Sequence, residues 1–206
     1  MVFIDNLAYS LFALTFAGLL ILYLVVTEWF VFMRKDKNYS NYTARLEGAK
    51  VPLLVLGIYM IIMAMWGQFT WPLPGSYNIL YYDPLVSFGM IVLALGLAVH
   101  YRVKFEYVGF FGLLIGIMTI IYGWLGYSIG ISKEPVVLLA MFALFGISGI
   151  FSYPVALIME KLPGLEKKPW IGWTICLAIF CLAILGASIL SGVIGMSAIG
   201  GHLITP

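Results

Sequence analysis

Charged residues are scarce in this sequence. Only 10% of its 206 residues are Asp, Glu, Lys or Arg, whereas 63% are hydrophobic and the mean hydropathy is +1.07. A soluble domain carries about 25% charged residues, so this chain has too few ionisable groups to cover a water-exposed surface. Its net charge of +2 also provides no basic face to neutralise phosphates, which excludes nucleic acid as a partner.

Residues that commonly carry catalysis are scarce as well. The chain has two histidines and two cysteines, and no cluster of His, Cys or carboxylate residues has the ligand spacing of a zinc, copper or iron site. It also lacks a serine–histidine pair, a glycine-rich phosphate loop and an HExxH motif. We therefore expect no metal, no cofactor and no catalytic residue, and the sequence favours a protein that is not an enzyme.

Long hydrophobic stretches are what the sequence does contain. A helix needs about 20 apolar residues to cross a bilayer, and six stretches of roughly this length are present. They are apolar on every side, unlike the alternating strands of a β-barrel. The sequence predicts one all-α, polytopic transmembrane bundle over residues 1–206. The predicted spans are approximately 7–33, 51–71, 84–100, 108–127, 135–159 and 170–196.

The basic residues predict the orientation of these spans. Ten of the 11 Lys and Arg residues lie in the connections after the first, third and fifth spans, and only Lys133 lies elsewhere. Short cytoplasmic connections are enriched in Lys and Arg. We therefore expect both termini on the non-cytoplasmic side. The ten residues are Arg34, Lys35, Lys37, Arg45, Lys50, Arg102, Lys104, Lys161, Lys167 and Lys168.

Two N-glycosylation patterns test this orientation. Asn38-Tyr39-Ser40 and Asn41-Tyr42-Thr43 both match the acceptor motif, and both lie in the first connection, which is predicted to be cytoplasmic. We expect mass spectrometry to find both asparagines unmodified after expression in a glycosylating cell. Glycan at either position would reverse the predicted orientation.

Two patterns bear on helix packing. The segment 57–67 matches 116–126 at five of eleven positions. This match is either a duplicated hairpin, as occurs in transporters, or a coincidence of apolar sequence. Small residues also recur every four positions in the sixth span, which allows close helix approach in lipid. The ladder packs either inside the bundle, which is the favoured interpretation, or between subunits; its members are Ala183, Ala187, Ser191 and Gly195.

Glu28 is the most unusual ionisable residue. It precedes Arg34 by six residues, which places it about 9 Å inside the first span. A carboxylate at that depth is costly unless it is protonated or paired. Two interpretations remain open, namely a structural ion pair with Arg34, His100 or Lys104, and a role in binding a proton or ligand.

A polar set is predicted at the opposite side of the membrane. Gln68 lies near the end of the second span, and Asn78 and Asp83 lie in the following connection, predicted as residues 72–83. These side chains either satisfy the backbone of the turn or line a shallow site beneath a layer of Trp and Tyr residues. The first interpretation is favoured.

The same connection carries a family resemblance. Trp71-Pro-Leu-Pro-Gly-Ser-Tyr-Asn-Ile-Leu, followed by Asp83-Pro84, resembles the signature of domain-of-unknown-function family 981. Its members are small multi-helical membrane proteins found mainly in archaea, and the resemblance covers most of the chain. It implies an archaeal plasma-membrane location and no established activity, and it carries over no catalytic residues.

Three functions are compatible with these features. The favoured one is a non-catalytic subunit or small-ligand-binding bundle that associates, within the lipid bilayer, with other membrane proteins or with itself. The alternative is a small transporter or channel for a very small or lipophilic solute. An intramembrane enzyme acting on lipid or quinone has the least support. The candidate functional residues are Glu28, Gln68, Asn78, Asp83 and His100.

Overall fold

Six α-helices make up most of the part of the chain that the structure describes. The computed structural model describes the backbone of residues 6–33, 40–73, 75–162 and 169–204, and the side-chain environments of 6–30, 46–73, 75–162 and 169–199; these residues contain no β-strand. Each helix contains a segment long and apolar enough to cross a membrane. The predicted all-α bundle is therefore confirmed. The helices are α1 Asn6–Met33, α2 Ser40–Thr70, α3 Ser76–Tyr101, α4 Glu106–Ser128, α5 Pro135–Lys161 and α6 Ile171–Ile204.

The helices form a ring in chain order. Each helix packs against the next, and α6 closes the ring by packing against α1, which also contacts α3 and α5. Sequential neighbours run antiparallel; between α2 and α3, for example, Gly57 faces Leu93 and Gly96 faces Leu53. Hence α1, α3 and α5 finish at one end of the bundle, called the basic end because Arg102, Lys104 and Lys161 lie there. The opposite end is called the far end.

Glycines bring α4 and α5 into backbone contact. A Cβ atom added to Gly116 would lie 2.6 Å from the Gly146 carbonyl oxygen, and one added to Gly149 would lie 2.6 Å from the Gly116 Cα. The Ser152 hydroxyl donates across the same interface to the Gly109 carbonyl at 2.9 Å. This close approach supplies van der Waals contact, which is needed because lipid tails remove the hydrophobic drive for helices to associate.

A second interface of small residues joins α1 to α6. Gly18 of α1 faces Ser188 of α6, and the Ser191 hydroxyl donates to the Leu11 carbonyl at 2.8 Å. The small residues of α6 are thus used within the chain. This confirms the predicted packing of the ladder, whose members are all buried: Ala183, Ala187, Ser191 and Gly195.

The start of α3 differs from the prediction. Residues 76–83, predicted as part of the connection, are helical, so Asp83 lies about 10 Å inside α3. Gly75 has a φ of 52°, a value that glycine adopts without steric cost, and it immediately precedes the helix. Pro84 is therefore inside α3 and not at its start. Because proline has no N–H, the Leu80 carbonyl lacks its usual helical donor.

The basic end is more helical than predicted. α2 begins at Ser40, well before the predicted start at residue 51. The first turn of α4 is capped from α5, because the Glu160 carboxylate accepts a hydrogen bond from the Glu106 amide at 2.9 Å. Such a carboxylate satisfies a free amide and interacts favourably with the helix dipole.

Part of the predicted basic surface lies outside the described residues. Within the described part, Arg102 pairs with Glu47 of α2. Both side chains are exposed, so the pair contributes little to stability. The predicted connection residues that lie outside are Arg34, Lys35, Lys37, Asn38, Lys167 and Lys168, and the side chains of Asn41 and Arg45 lie outside as well.

Candidate functional site

A partly open cavity of about 130 Å³ lies in the half of the bundle nearest the basic end. All six helices contribute to its wall, through the second halves of α1, α3 and α5 and the first halves of α2, α4 and α6. Because residues of all six helices contribute to its wall, the cavity is a feature of the complete bundle. Representative wall residues are Val25, Glu28, Ile91, Leu95, Val108 and Phe180.

The cavity wall is almost entirely apolar. Aliphatic and aromatic side chains and three glycines form most of it, together with two serines. The Ser148 hydroxyl donates to the Phe145 carbonyl at 2.8 Å, and the Ser152 hydroxyl donates to carbonyls of α4 and α5. Among the described side chains that line the cavity, Glu28 alone is ionisable.

Glu28 is buried, with an exposed fraction of 4%. It lies in the apolar span of α1, Asn6–Phe30, and about 7 Å before the helix ends at Met33. A buried carboxyl group is costly unless it is protonated, paired or hydrogen-bonded. Arg34, one of its predicted partners, lies outside the described residues. The structure places Glu28 where a molecule in the cavity would meet it.

A second polar group lies in the far half of the bundle. Asp83 of α3 accepts one hydrogen bond on each carboxylate oxygen, from Gln68 Nε2 of α2 at 2.8 Å and from the Tyr122 hydroxyl of α4 at 2.8 Å. The network therefore joins three consecutive helices. The sequence predicts that Gln68 and Asp83 lie at the same end of the bundle, but it does not distinguish Tyr122 from the other aromatic residues there. The only sequence signal for Tyr122 beyond its aromatic character is its place in the repeated segment 116–126.

Asn78 stabilises the connection between α2 and α3. Its Nδ2 donates to the Gly67 carbonyl at 3.0 Å, and its Oδ1 accepts from the Leu73 amide at 3.3 Å. The side chain is 1% exposed, so it is enclosed by the turn that it supports. The turn-building interpretation is confirmed for Asn78, whereas Gln68 and Asp83 bond to each other.

His100 lies apart from both polar sites. It is exposed near the end of α3, its ring stands edge-on to Tyr101 at a centroid distance of 4.8 Å, and it is not part of the cavity wall. Of the five candidates, Gln68 and Asp83 are joined directly by a hydrogen bond. In the described residues, no group of three or more His, Cys, Asp or Glu side chains is placed to hold a metal ion.

These features define a multi-pass helical membrane protein with a partly open apolar cavity. The six helices have the length and composition of membrane spans, and the interfaces between them are built from small residues, as in other membrane helices. The chain belongs to the family described as "Protein of unknown function (DUF981)", whose model matches residues 1–205. No curated protein and no solved structure matches it. The resemblance of the Trp71–Pro84 region to this family is thus confirmed.

Proposed function

We propose that this protein is a non-catalytic bundle that binds a small lipophilic ligand within the membrane, alone or as a subunit of a larger membrane assembly. The apolar cavity with Glu28 in its wall supports this proposal. An apolar cavity of about 150 Å³ in a soluble protein binds benzene. The cavity of about 130 Å³ in this chain is of comparable size, so it accommodates a ligand group as large as a single ring or a short branched chain.

The carboxyl group of Glu28 restricts which polar groups the ligand can carry. A carboxyl oxygen accepts a hydrogen bond from an amine or hydroxyl, and the bond is stronger when one partner is charged. A ligand carboxylate or phosphate would instead be repelled by an ionised Glu28. The favoured ligand therefore has a compact lipophilic group next to an amine or hydroxyl.

The location that fits this function is the plasma membrane of an archaeal cell, with both termini outside. The family resemblance favours the cell type, and the ten basic residues on one set of connections favour the orientation. Cysteine labelling from either side of sealed cells, at Ser132 for the far end and at Lys104 for the basic end, tests this orientation. Labelling of Lys104→Cys from outside would contradict it.

Filling the cavity tests the binding function. We expect para-fluorotoluene and para-fluorobenzylamine to bind the full chain in nanodiscs, as seen by fluorine NMR. Ile91→Trp should weaken the binding of both compounds by about tenfold or more. The indole ring would fill the cavity, and a close-packed interior leaves no room for a ligand beside it. Met90→Trp is the matched control, since Met90 is adjacent on α3, exposed and outside the cavity wall. Equal binding by the two variants would exclude the cavity as the binding site.

Replacing the carboxyl group tests its part in recognition. Glu28→Gln keeps the shape of the side chain but removes its charge, so binding of para-fluorobenzylamine should weaken by about tenfold, the equivalent of one charge-assisted hydrogen bond. Binding of para-fluorotoluene should be unchanged. If Glu28→Gln left amine binding intact while Ile91→Trp abolished it, the cavity would bind ligands without the help of Glu28.

A second candidate function is transport of a very small or lipophilic solute. The observation that favours it is the presence of carboxyl groups in both halves of the bundle, Glu28 in the basic half and Asp83 in the far half. A hydrophilic solute requires a polar path, which the apolar cavity wall does not supply. Solute flux into proteoliposomes that is abolished by Glu28→Gln would favour transport over binding alone.

A further inference from the structure

The wall of the cavity follows the helices over a considerable length. On α3 the wall residues run from Phe88 to Val99, and on α5 they run from Ser148 to Met159. Each of these ranges covers about 16 Å of helix, at a rise of about 1.5 Å per residue. The cavity volume of about 130 Å³ is therefore distributed along the bundle, and the cavity is elongated in the direction of the helices.

The end of the cavity nearest the middle of the bundle, called the deep end, is closed by aromatic rings. Phe88 is the wall residue of α3 that lies farthest from the basic end, and its ring stands edge-on to that of Phe145 of α5 at a centroid distance of 5.3 Å. Ser148, the deepest wall residue of α5, donates its hydroxyl to the Phe145 carbonyl. Beyond these rings lies a buried apolar cluster that includes Leu138 and Phe142. The deep end is therefore apolar and blocked.

The opposite end of the cavity carries the ionisable group. Glu28 is the wall residue of α1 that lies closest to the basic end, and Ile21, Leu24 and Val25 continue this wall towards the deep end. An ionised carboxylate offers about four acceptor positions on its two oxygens, so a ligand donor can bind Glu28 alongside a partner from the protein. The cavity thus presents a hydrogen-bond acceptor near the basic end and apolar surface beyond it.

We propose that the ligand of this cavity is a single-chain lipid whose polar group is a hydroxyl or an amine. This inference rests on the proposed binding function and specifies the class of the ligand. The hydroxyl or amine donates to Glu28, and the alkyl chain lies along the helices with its end against Phe88. The ligand then has the orientation of the lipids in the adjacent leaflet, with its polar group near the membrane surface and its chain towards the middle. A narrow, elongated cavity has room for one such chain.

A series of alkyl chain lengths tests this proposal. Alkylamines from butyl to tetradecyl, each with a terminal trifluoromethyl group, are titrated into the protein in nanodiscs, and binding is followed by fluorine NMR. The affinity, expressed relative to the amount of each amine in the membrane, should increase with chain length and stop increasing at a defined length, because aromatic rings block the deep end. Phe88→Ala should raise this length limit by about two carbons or more, since it opens space at that end. Phe69→Ala is the matched control and should leave the limit unchanged, because Phe69 is 82% exposed and outside the wall.

A comparison of polar groups at one chain length tests the position of the other end of the ligand. The amine should bind about tenfold more tightly than the carboxylate with the same chain, because Glu28 forms a charge-assisted hydrogen bond with the amine and repels the carboxylate. Glu28→Gln should reduce this difference and leave the length limit where it is in the unmodified protein.

Three results would overturn the proposal, namely an affinity without a length limit, a limit that Phe88→Ala does not move, and equal binding of the amine and the carboxylate. If Phe88→Ala fails to fold, Phe88→Leu replaces it, since it also removes the ring and should move the limit in the same direction. Binding of para-fluorotoluene that is lost in Ile91→Trp separates the two proposals. Together with any of the three results, it would leave the binding function standing and exclude the single-chain lipid alone.

Discussion

Gly116→Ala is expected to destabilise the bundle strongly, because it adds a methyl group where two helix backbones are in contact. The added Cβ would lie 2.6 Å from the Gly146 oxygen, 2.7 Å from the Ile150 nitrogen and 2.8 Å from the Gly149 carbonyl carbon. All three are backbone atoms, so no side chain can rotate away and α4 must move off α5. Overpacking of this kind costs about 1–3 kcal/mol and occasionally more, and we expect the upper part of that range.

Helix propensity and packing predict opposite changes in stability for Gly116→Ala, so the direction of the change shows which effect is larger. Alanine is favoured over glycine inside a helix by about 0.8–1 kcal/mol, so a stability loss in Gly116→Ala must come from packing. Gly48→Ala is the control, because Gly48 is helical and exposed and an added Cβ would contact nothing within 4 Å. Thermal unfolding of the solubilised chain should show a lower midpoint for Gly116→Ala and an unchanged or higher one for Gly48→Ala. A neutral Gly116→Ala would mean that α4 and α5 are not in backbone contact.

Tyr82→Ala is expected to lower the free energy of unfolding by about 3 kcal/mol or more, the usual effect of deleting a buried aromatic ring. Tyr82 is completely buried. Its ring packs on the backbone of Gly67, where an added Cβ would lie 2.4 Å from the ring, and its hydroxyl accepts a hydrogen bond from Asn6 Nδ2 at 3.0 Å. The substitution opens a cavity between α2 and α3 and leaves the Asn6 donor without this acceptor.

Tyr107→Ala is the matched control for this prediction. Tyr107 is 75% exposed on α4, and substitutions at such surface positions usually change stability by less than about 0.5 kcal/mol. Tyr82→Phe separates the two contributions, because it keeps the ring and removes the hydroxyl; we expect a loss of about 1–3 kcal/mol for the unsatisfied donor. Denaturant titration followed by tryptophan fluorescence measures all three. Equal stability of Tyr82→Ala and Tyr107→Ala would contradict the buried position of Tyr82.

The sequence predicted the helices well because each has a simple physical signature. An apolar run of about 20 residues can satisfy its backbone in lipid only as a helix, so six runs predict six spans. The small residues of α6 predicted close packing inside the chain for a similar reason, since only small side chains let two helix backbones approach. Both features depend on local composition, and a sequence shows composition directly.

The start of α3 was mispredicted because local and tertiary preferences disagree there. Proline after an acidic residue is typical of a first helical turn, and Asp83-Pro84 therefore indicated a helix start. In the structure the preceding residues 76–83 are helical, and Asn78, Leu80 and Tyr82 among them are buried. Their packing outweighs the helical hydrogen bond that Pro84 removes. As a result, Asp83 lies inside the helix and not in a surface connection.

The candidate sites could be predicted only in part. Glu28 was recognisable because an acid within an apolar run is unusual, whereas Asp83 was recognised only as part of the polar set with Gln68 and Asn78 in the predicted connection. The cavity beside Glu28 was not, since its wall combines residues from six helices and depends on which helices are neighbours. Tyr122 was not distinguished from the other aromatic residues of the far end because its bond to Asp83 is a long-range contact.

The contact between α1 and α6 determines when the helix ring can close during synthesis. Because α1 is synthesised before α6, Gly18 can contact Ser188, and the Leu11 carbonyl can accept the Ser191 hydroxyl, only after α6 has been inserted. Until then the nascent chain holds an open groove along α1, and the two hairpins α2–α3 and α4–α5 assemble beside it. Translation arrested before α6 should therefore leave a partly assembled intermediate that cellular quality control can recognise.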